Sequence, residues 1–149
     1  MRATAMVLAA LATLTACGAL TEQRAPYWWE GQWTAVRGDG APLPVTMLVG
    51  VTTATTRLDA LLVTLSTYGG ERGIVDEKAT RTVATGATTQ VGCYRFYTLT
   101  ATAATVELRD IGSPSCAESV PIGTLVFTRK ADSLVVQWRG ADVRLVRVP

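Results

Sequence analysis

The sequence predicts an all-β protein: a small antiparallel meander barrel of eight or nine strands, with a two-sheet β-sandwich as the alternative. Three observations predict it. From Trp33 onward the chain is rich in Thr, Val, Leu and aromatic residues, the types that fit a pleated, half-buried surface. Turn signals built on glycine, aspartate and proline punctuate it roughly every ten residues, with no amphipathic helix of useful length between them. Successive segments are joined as hairpins, which favours a closed meander over a sandwich.

The strands fall in order at 32–37, 45–52, 60–68, 74–85, 91–100, 105–111, 123–129, 134–139 and 143–148. Val45, Met47, Val49 and Val51 share one face of their segment, and Leu61, Val63 and Leu65 share one face of the next. Such period-two patterns bury one side of a strand. "YGGE" at Tyr68 and "RGAD" at Arg139 place glycine where two-residue hairpin turns need positive φ, and "RKADS" at Arg129 supplies a longer turn. In the last strand Val143 and Leu145 lie on one face but Val146 and Val148 on the other, so a bulge is expected near Leu145.

The amino terminus has a different character. Met1-Arg2 is followed by the apolar run "AMVLAALA" and then by "TLTACGAL", the outline of a signal peptide. The run is too short for a spanning helix, which needs roughly 20 apolar residues. Leu14-Thr15-Ala16-Cys17 resembles the lipobox of bacterial lipoproteins at all four positions. That resemblance implies cleavage before Cys17 and acylation of its sulfur with diacylglycerol, and often of the new amino terminus with palmitate or a similar chain. Two or three acyl chains hold a small domain firmly on a membrane. The expected location is therefore the bacterial cell envelope, on the cell membrane or, in a two-membrane cell, on the outer membrane, since Gly18 is not the aspartate associated with inner-membrane retention. The domain plan is a signal peptide at 1–16, a lipidated tether at 17–30 and a barrel at 31–149.

Composition narrows the function. With 149 residues the chain suits one domain with a real core. Fourteen basic side chains face 12 acidic ones, a balance that does not point to nucleic acid. Histidine is absent from the sequence, which removes Ser-His and Cys-His dyads and histidine metal sites. No phosphate loop, nucleophile elbow or Cys-x-x-Cys pair appears, so neither an enzyme nor a cofactor is expected. Asp76, Glu77, Glu107 and Asp110 read as solvated strand faces and turns, and "RGD" at Arg37–Asp39 reads as a polar turn.

Two cysteines remain for the exported domain, Cys93 and Cys116. In an oxidising compartment they are expected to pair, the alternatives being free thiols or a Cys-only metal site, which lacks further ligands.

Gly31-Gln32-Trp33 is similar to the G-x-W signature that opens the first strand of lipocalins and other calycin barrels. The resemblance implies that Trp33 plugs one barrel end beneath an arginine of the last strand, Arg144 or Arg147, and that the barrel holds a small apolar ligand. The T-D-Y type of second lipocalin motif and a C-terminal helix are not found in the sequence. "GCYRF" at Gly92, followed by Cys116, is similar to the "GCNRF" segment of META-type lipoproteins, a rival resemblance with Tyr94 in place of the asparagine. Tyr27, Trp28 and Trp29 close the tether as a cluster that would either fold over the barrel end or contact a ligand or the membrane. The expected function is binding a small apolar ligand, and the alternative is an envelope lipoprotein with a solid core that contacts a protein partner.

Overall fold

The structure, a computed structural model, describes residues 26–47, 54–111 and 123–149. Within them run ten strands: β1 (Gly31–Gly38), β2 (Ala41–Pro42), β3 (Val45–Met47), β4 (Thr55–Ser66), β5 (Arg72–Thr82), β6 (Thr88–Ala101), β7 (Thr105–Asp110), β8 (Thr124–Lys130), β9 (Ser133–Trp138) and β10 (Ala141–Arg147). Each strand from β4 to β10 pairs antiparallel with the next, β10 pairs with β1, and β1 pairs with β4. This closes an eight-stranded barrel, with β2 and β3 as short extensions. Closure satisfies the strand edges that an open sheet would leave exposed.

The side chains follow the period-two pattern read from the sequence. Cys93, Arg95, Tyr97 and Leu99 of β6 point inward while Tyr94, Phe96, Thr98 and Thr100 stay outside. The hairpin between β9 and β10 turns on Arg139 (φ 49°) and Gly140 (φ 85°), both in the left-handed region that tight antiparallel turns require. Arg37 and Gly38 end β1, and the turn expected over Arg37–Asp39 falls instead on Asp39 (φ 45°) and Gly40 (φ 78°). Asp39 is tied to the neighbouring hairpin, its Oδ1 accepting from the Asp142 N–H at 2.8 Å and its own N–H donating to the Asp142 carbonyl at 2.9 Å.

Two irregularities depart from expectation. The anticipated bulge in the last strand lies instead on its partner: β1 shifts register between Ala35 and Arg37, opposite Leu145 and Arg144. β10 keeps its phase, with Ala141, Val143 and Leu145 all buried. A second shift falls between Leu58 and Ala60 of β4. There Asp59 accepts hydrogen bonds from Arg57 Nε at 2.7 Å and Thr80 Oγ1 at 2.5 Å, so the extra residue is held by its polar neighbours.

Among the described residues the inward side chains are closely packed. Leu58, Leu61, Val63, Leu65, Tyr97, Val106, Leu108, Phe127, Leu134, Val143 and Leu145 are all 0% exposed. A side chain lining a water-sized void would keep accessible area, so these residues pack on one another as in other protein cores. Burial of each large apolar side chain stabilises the fold by about 1.5–3 kcal/mol relative to exposure.

Candidate functional site

The two ends of the barrel are built from different chemistry. At the end where the chain enters, Trp33 pairs across the sheet with Arg147, whose guanidinium carbon lies 4.9 Å from the ring centroid. This is cation–π distance. Gly31, beside that arginine, has φ 131°, a backbone conformation that side-chain-bearing residues rarely adopt. Arg144, the other sequence candidate, does not share the role. It lies on the outward phase of β10 and donates from Nε to Ser133 Oγ at 3.1 Å.

The aromatic cluster closes this end. Residues 27–30 form a turn, the Glu30 N–H donating to the Tyr27 carbonyl at 3.0 Å. Glu30 Oε1 accepts from Thr67 Oγ1 at 2.7 Å, which fastens the turn to the end of β4. Trp29, which the sequence places in the tether either folded over the barrel end or in contact with a ligand or the membrane, takes the first course and is a core residue. It is 3% exposed, stacked on Tyr27 at 5.2 Å, and its carbonyl accepts from Trp33 Nε1 at 2.8 Å. Trp28 is half-buried, donates from Nε1 to the Thr102 carbonyl at 3.1 Å, and carries Arg129 over its ring at 5.0 Å. Arg147 Nη2 donates to the Trp28 carbonyl. Tyr27 stays outermost, 45% exposed.

Beside this closure opens a cleft of about 370 Å³ lined by Trp28, Trp33, Arg129, Ala131, Asp132 and Arg147. Across the β8–β9 turn a second hollow of about 470 Å³ is lined by Lys130, Ala131, Ser133, Val135 and Arg144.

Toward the opposite end the interior turns ionic. Glu77, on the inward face of β5 between Val75 and Ala79, is 2% exposed. Arg139 reaches in from its hairpin and forms a two-pronged pair with it, Nε to Oε1 and Nη2 to Oε2, both at 2.8 Å. Trp138 Nε1 adds a third hydrogen bond to Oε1 at 2.9 Å. On the neighbouring strands Arg95, also buried, donates from Nη1 to Asp110 Oδ2 at 2.6 Å and from Nε to Cys93 Sγ at 3.1 Å. Reading Glu77 and Asp110 as solvated carboxylates is therefore corrected. The signal was available, since Glu77 shares the period-two face of Val75 and Ala79, but its charge argued against an inward position.

Between these ion pairs stands Tyr97, 0% exposed, with no hydrogen-bond partner for its hydroxyl among the described residues. Its pKa is pushed up to about 12, chiefly by burial and then by the Asp110 carboxylate. The hydroxyl is therefore neutral across the physiological range.

Cys93 is disulfide-bonded, while Cys116 and the lipobox with Cys17 lie outside the described residues. Among the described residues no group of three or more His, Cys, Asp or Glu side chains is arranged to hold a metal ion, and no helix is long and apolar enough to cross a membrane. Comparison of the chain with models of protein families, with curated proteins and with solved structures found no match. The barrel architecture is compatible with a calycin-like ligand binder, and the geometry of the two ends carries the functional reading.

Proposed function

We propose that the chain is an exported lipoprotein, anchored through Cys17, that works by binding at the surface of a solid barrel rather than by catalysis. The observation that carries this reading is the filled interior: inward side chains from the barrel strands, Leu58, Tyr97, Phe127 and Leu145 among them, are fully buried against one another. The charged groups inside are committed to partners, Glu77 to Arg139 and Arg95 to Asp110. Binding surfaces are left at the rims and on the outer wall, where the partner is a component of the envelope.

A second reading, a small apolar ligand held within the barrel, is favoured by the closed eight-stranded architecture and by the sealed chain-entry end, which would leave the ionic end as the mouth. Native mass spectrometry of the protein purified from membranes separates the two. A solid barrel gives only the mass of the protein and its anchor. A stoichiometric apolar adduct that survives delipidated buffers would overturn it. Metabolic labelling with a palmitate analogue tests the anchor, and equal label in wild type and Cys17→Ser would remove it.

A further inference from the structure

We propose that the cleft at the chain-entry end is a docking site for the phosphate of an anionic phospholipid headgroup, seating the barrel upright on the membrane by its Trp28 rim. Two basic side chains, Arg129 and Arg147, line the cleft, and two more, Lys130 and Arg144, line the hollow across the β8–β9 turn. None of the four is ion-paired with a described residue, whereas Arg139 and Arg95 at the opposite end are matched with carboxylates. Arg129 has the most to offer. Its guanidinium lies over Trp28 and makes no hydrogen bond with a described residue, so its planar set of N–H donors is open to a phosphate. One carboxylate, Asp132, also lines the cleft, so two guanidiniums face a single opposing charge.

The surroundings suit a headgroup layer. Half-buried Trp28 and exposed Tyr27 form an aromatic rim beside the arginines, the combination favoured where a protein meets the polar boundary of a bilayer. The proposal rests on the anchor reading for proximity. Residues 18–25 separate Cys17 from the first described residue, Pro26, a span of at most roughly 30 Å when extended. This end is the one held at high local concentration beside the lipid.

The test uses the full lipoprotein purified from membranes and inserted into vesicles whose acyl chains carry bromine near the headgroup, a quencher of tryptophan fluorescence. Vesicles of phosphatidylcholine are compared with vesicles containing phosphatidylglycerol. Docking predicts stronger quenching on the anionic vesicles, reversed by high salt. Arg129→Gln/Lys130→Gln should lower the docked-to-undocked ratio about fivefold for each charge removed, while Arg109→Gln on the outer wall should behave as wild type. Equal quenching on both vesicle types, or an unchanged double variant that circular dichroism shows to be folded, overturns the proposal. Inorganic phosphate at matched ionic strength distinguishes the source: abolition of the difference by phosphate but not by chloride overturns the headgroup in favour of a free phosphate. A chain that leaves phosphatidylcholine vesicles altogether refutes the anchor instead. In that case Arg129-dependent attachment to anionic vesicles still supports docking, and its absence overturns it.

Discussion

The two ends of this barrel solve the same problem, how to finish a closed sheet whose interior would otherwise meet water, by opposite means. The chain-entry end is closed from outside, by a turn that folds Trp28 and Trp29 over the opening and by Arg147 lying across Trp33. The far end is closed from within, by charges that neutralise one another in the Glu77–Arg139 and Arg95–Asp110 pairs. The first leaves cations facing solvent. Among the described residues the second leaves one buried hydroxyl, that of Tyr97, without a partner. The contrast sets solvent-facing cations at the aromatic end against internally paired charges at the ionic end.

The sharpest way to break the comparison is to truncate one member of each closure. Glu77→Ala would remove the carboxylate that accepts from Arg139 and from Trp138 Nε1 and should destabilise the fold by about 3–5 kcal/mol, because deleting one member of a buried ion pair costs more than the pair contributed. Trp33→Ala should destabilise by a similar ~3–5 kcal/mol, here through lost packing. If the ends are independent, the double variant in a urea titration should show additive losses to within about 0.5 kcal/mol. A large coupling would mean that the barrel transmits strain along its length and that the two closures are one.

Next in size is a pH effect confined to the ionic end. The Tyr97 pKa of about 12 exceeds the ordinary value of 10.0, so between those limits the unfolded chain gives up a proton that the folded chain keeps. Stability is fully present below pH 10 and falls as pH rises toward 12, by about 2–3 kcal/mol at most. Denaturation midpoints measured across that window should decline more steeply in wild type than in Tyr97→Phe.

These expectations also show how far residue patterns reach. Alternation placed nearly every strand, and Gly31-Gln32-Trp33 marked the start of the barrel, because burial of one sheet face leaves a direct trace in residue order. β4 begins at Thr55, earlier than its pattern suggested, because the bulge at Asp59 breaks the alternation between Leu58 and Leu61. The pairing of β1 with β4 that closes the ring joins segments whose own periodicity is silent about partners. Trp29 looked like a tether residue because its burial depends on a turn fixed by Glu30 and Thr67, residues 37 positions apart. Glu77 was hidden by its own charge: the partner that makes burial tolerable, Arg139, lies 62 residues further along the chain.

Smaller effects separate the two arginines of β10. Arg147→Gln removes the contact over Trp33 and the hydrogen bond to the Trp28 carbonyl, and should cost about 1–2 kcal/mol. Arg144→Gln loses only a hydrogen bond to Ser133 on the outer face and should stay within about 0.5 kcal/mol of wild type. Equal losses would mean that the phase of β10, and with it the cation–aromatic closure, is wrongly assigned.

The smallest expected change is the most informative about the barrel's interior. The Tyr97 hydroxyl is buried with no partner among the described residues, so its desolvation is uncompensated. Tyr97→Phe removes that group while keeping the ring that fills the space among the surrounding side chains. If the barrel is solid, the variant should gain about 1 kcal/mol in a urea titration, because deleting an unmatched polar group relieves the desolvation it caused. If the hydroxyl instead anchors a bound molecule, the same substitution lowers stability in protein that carries the molecule and leaves the stripped protein unchanged or more stable. Measuring both forms therefore turns one oxygen atom into a test of whether the ionic end is a closed seam or the floor of a binding site.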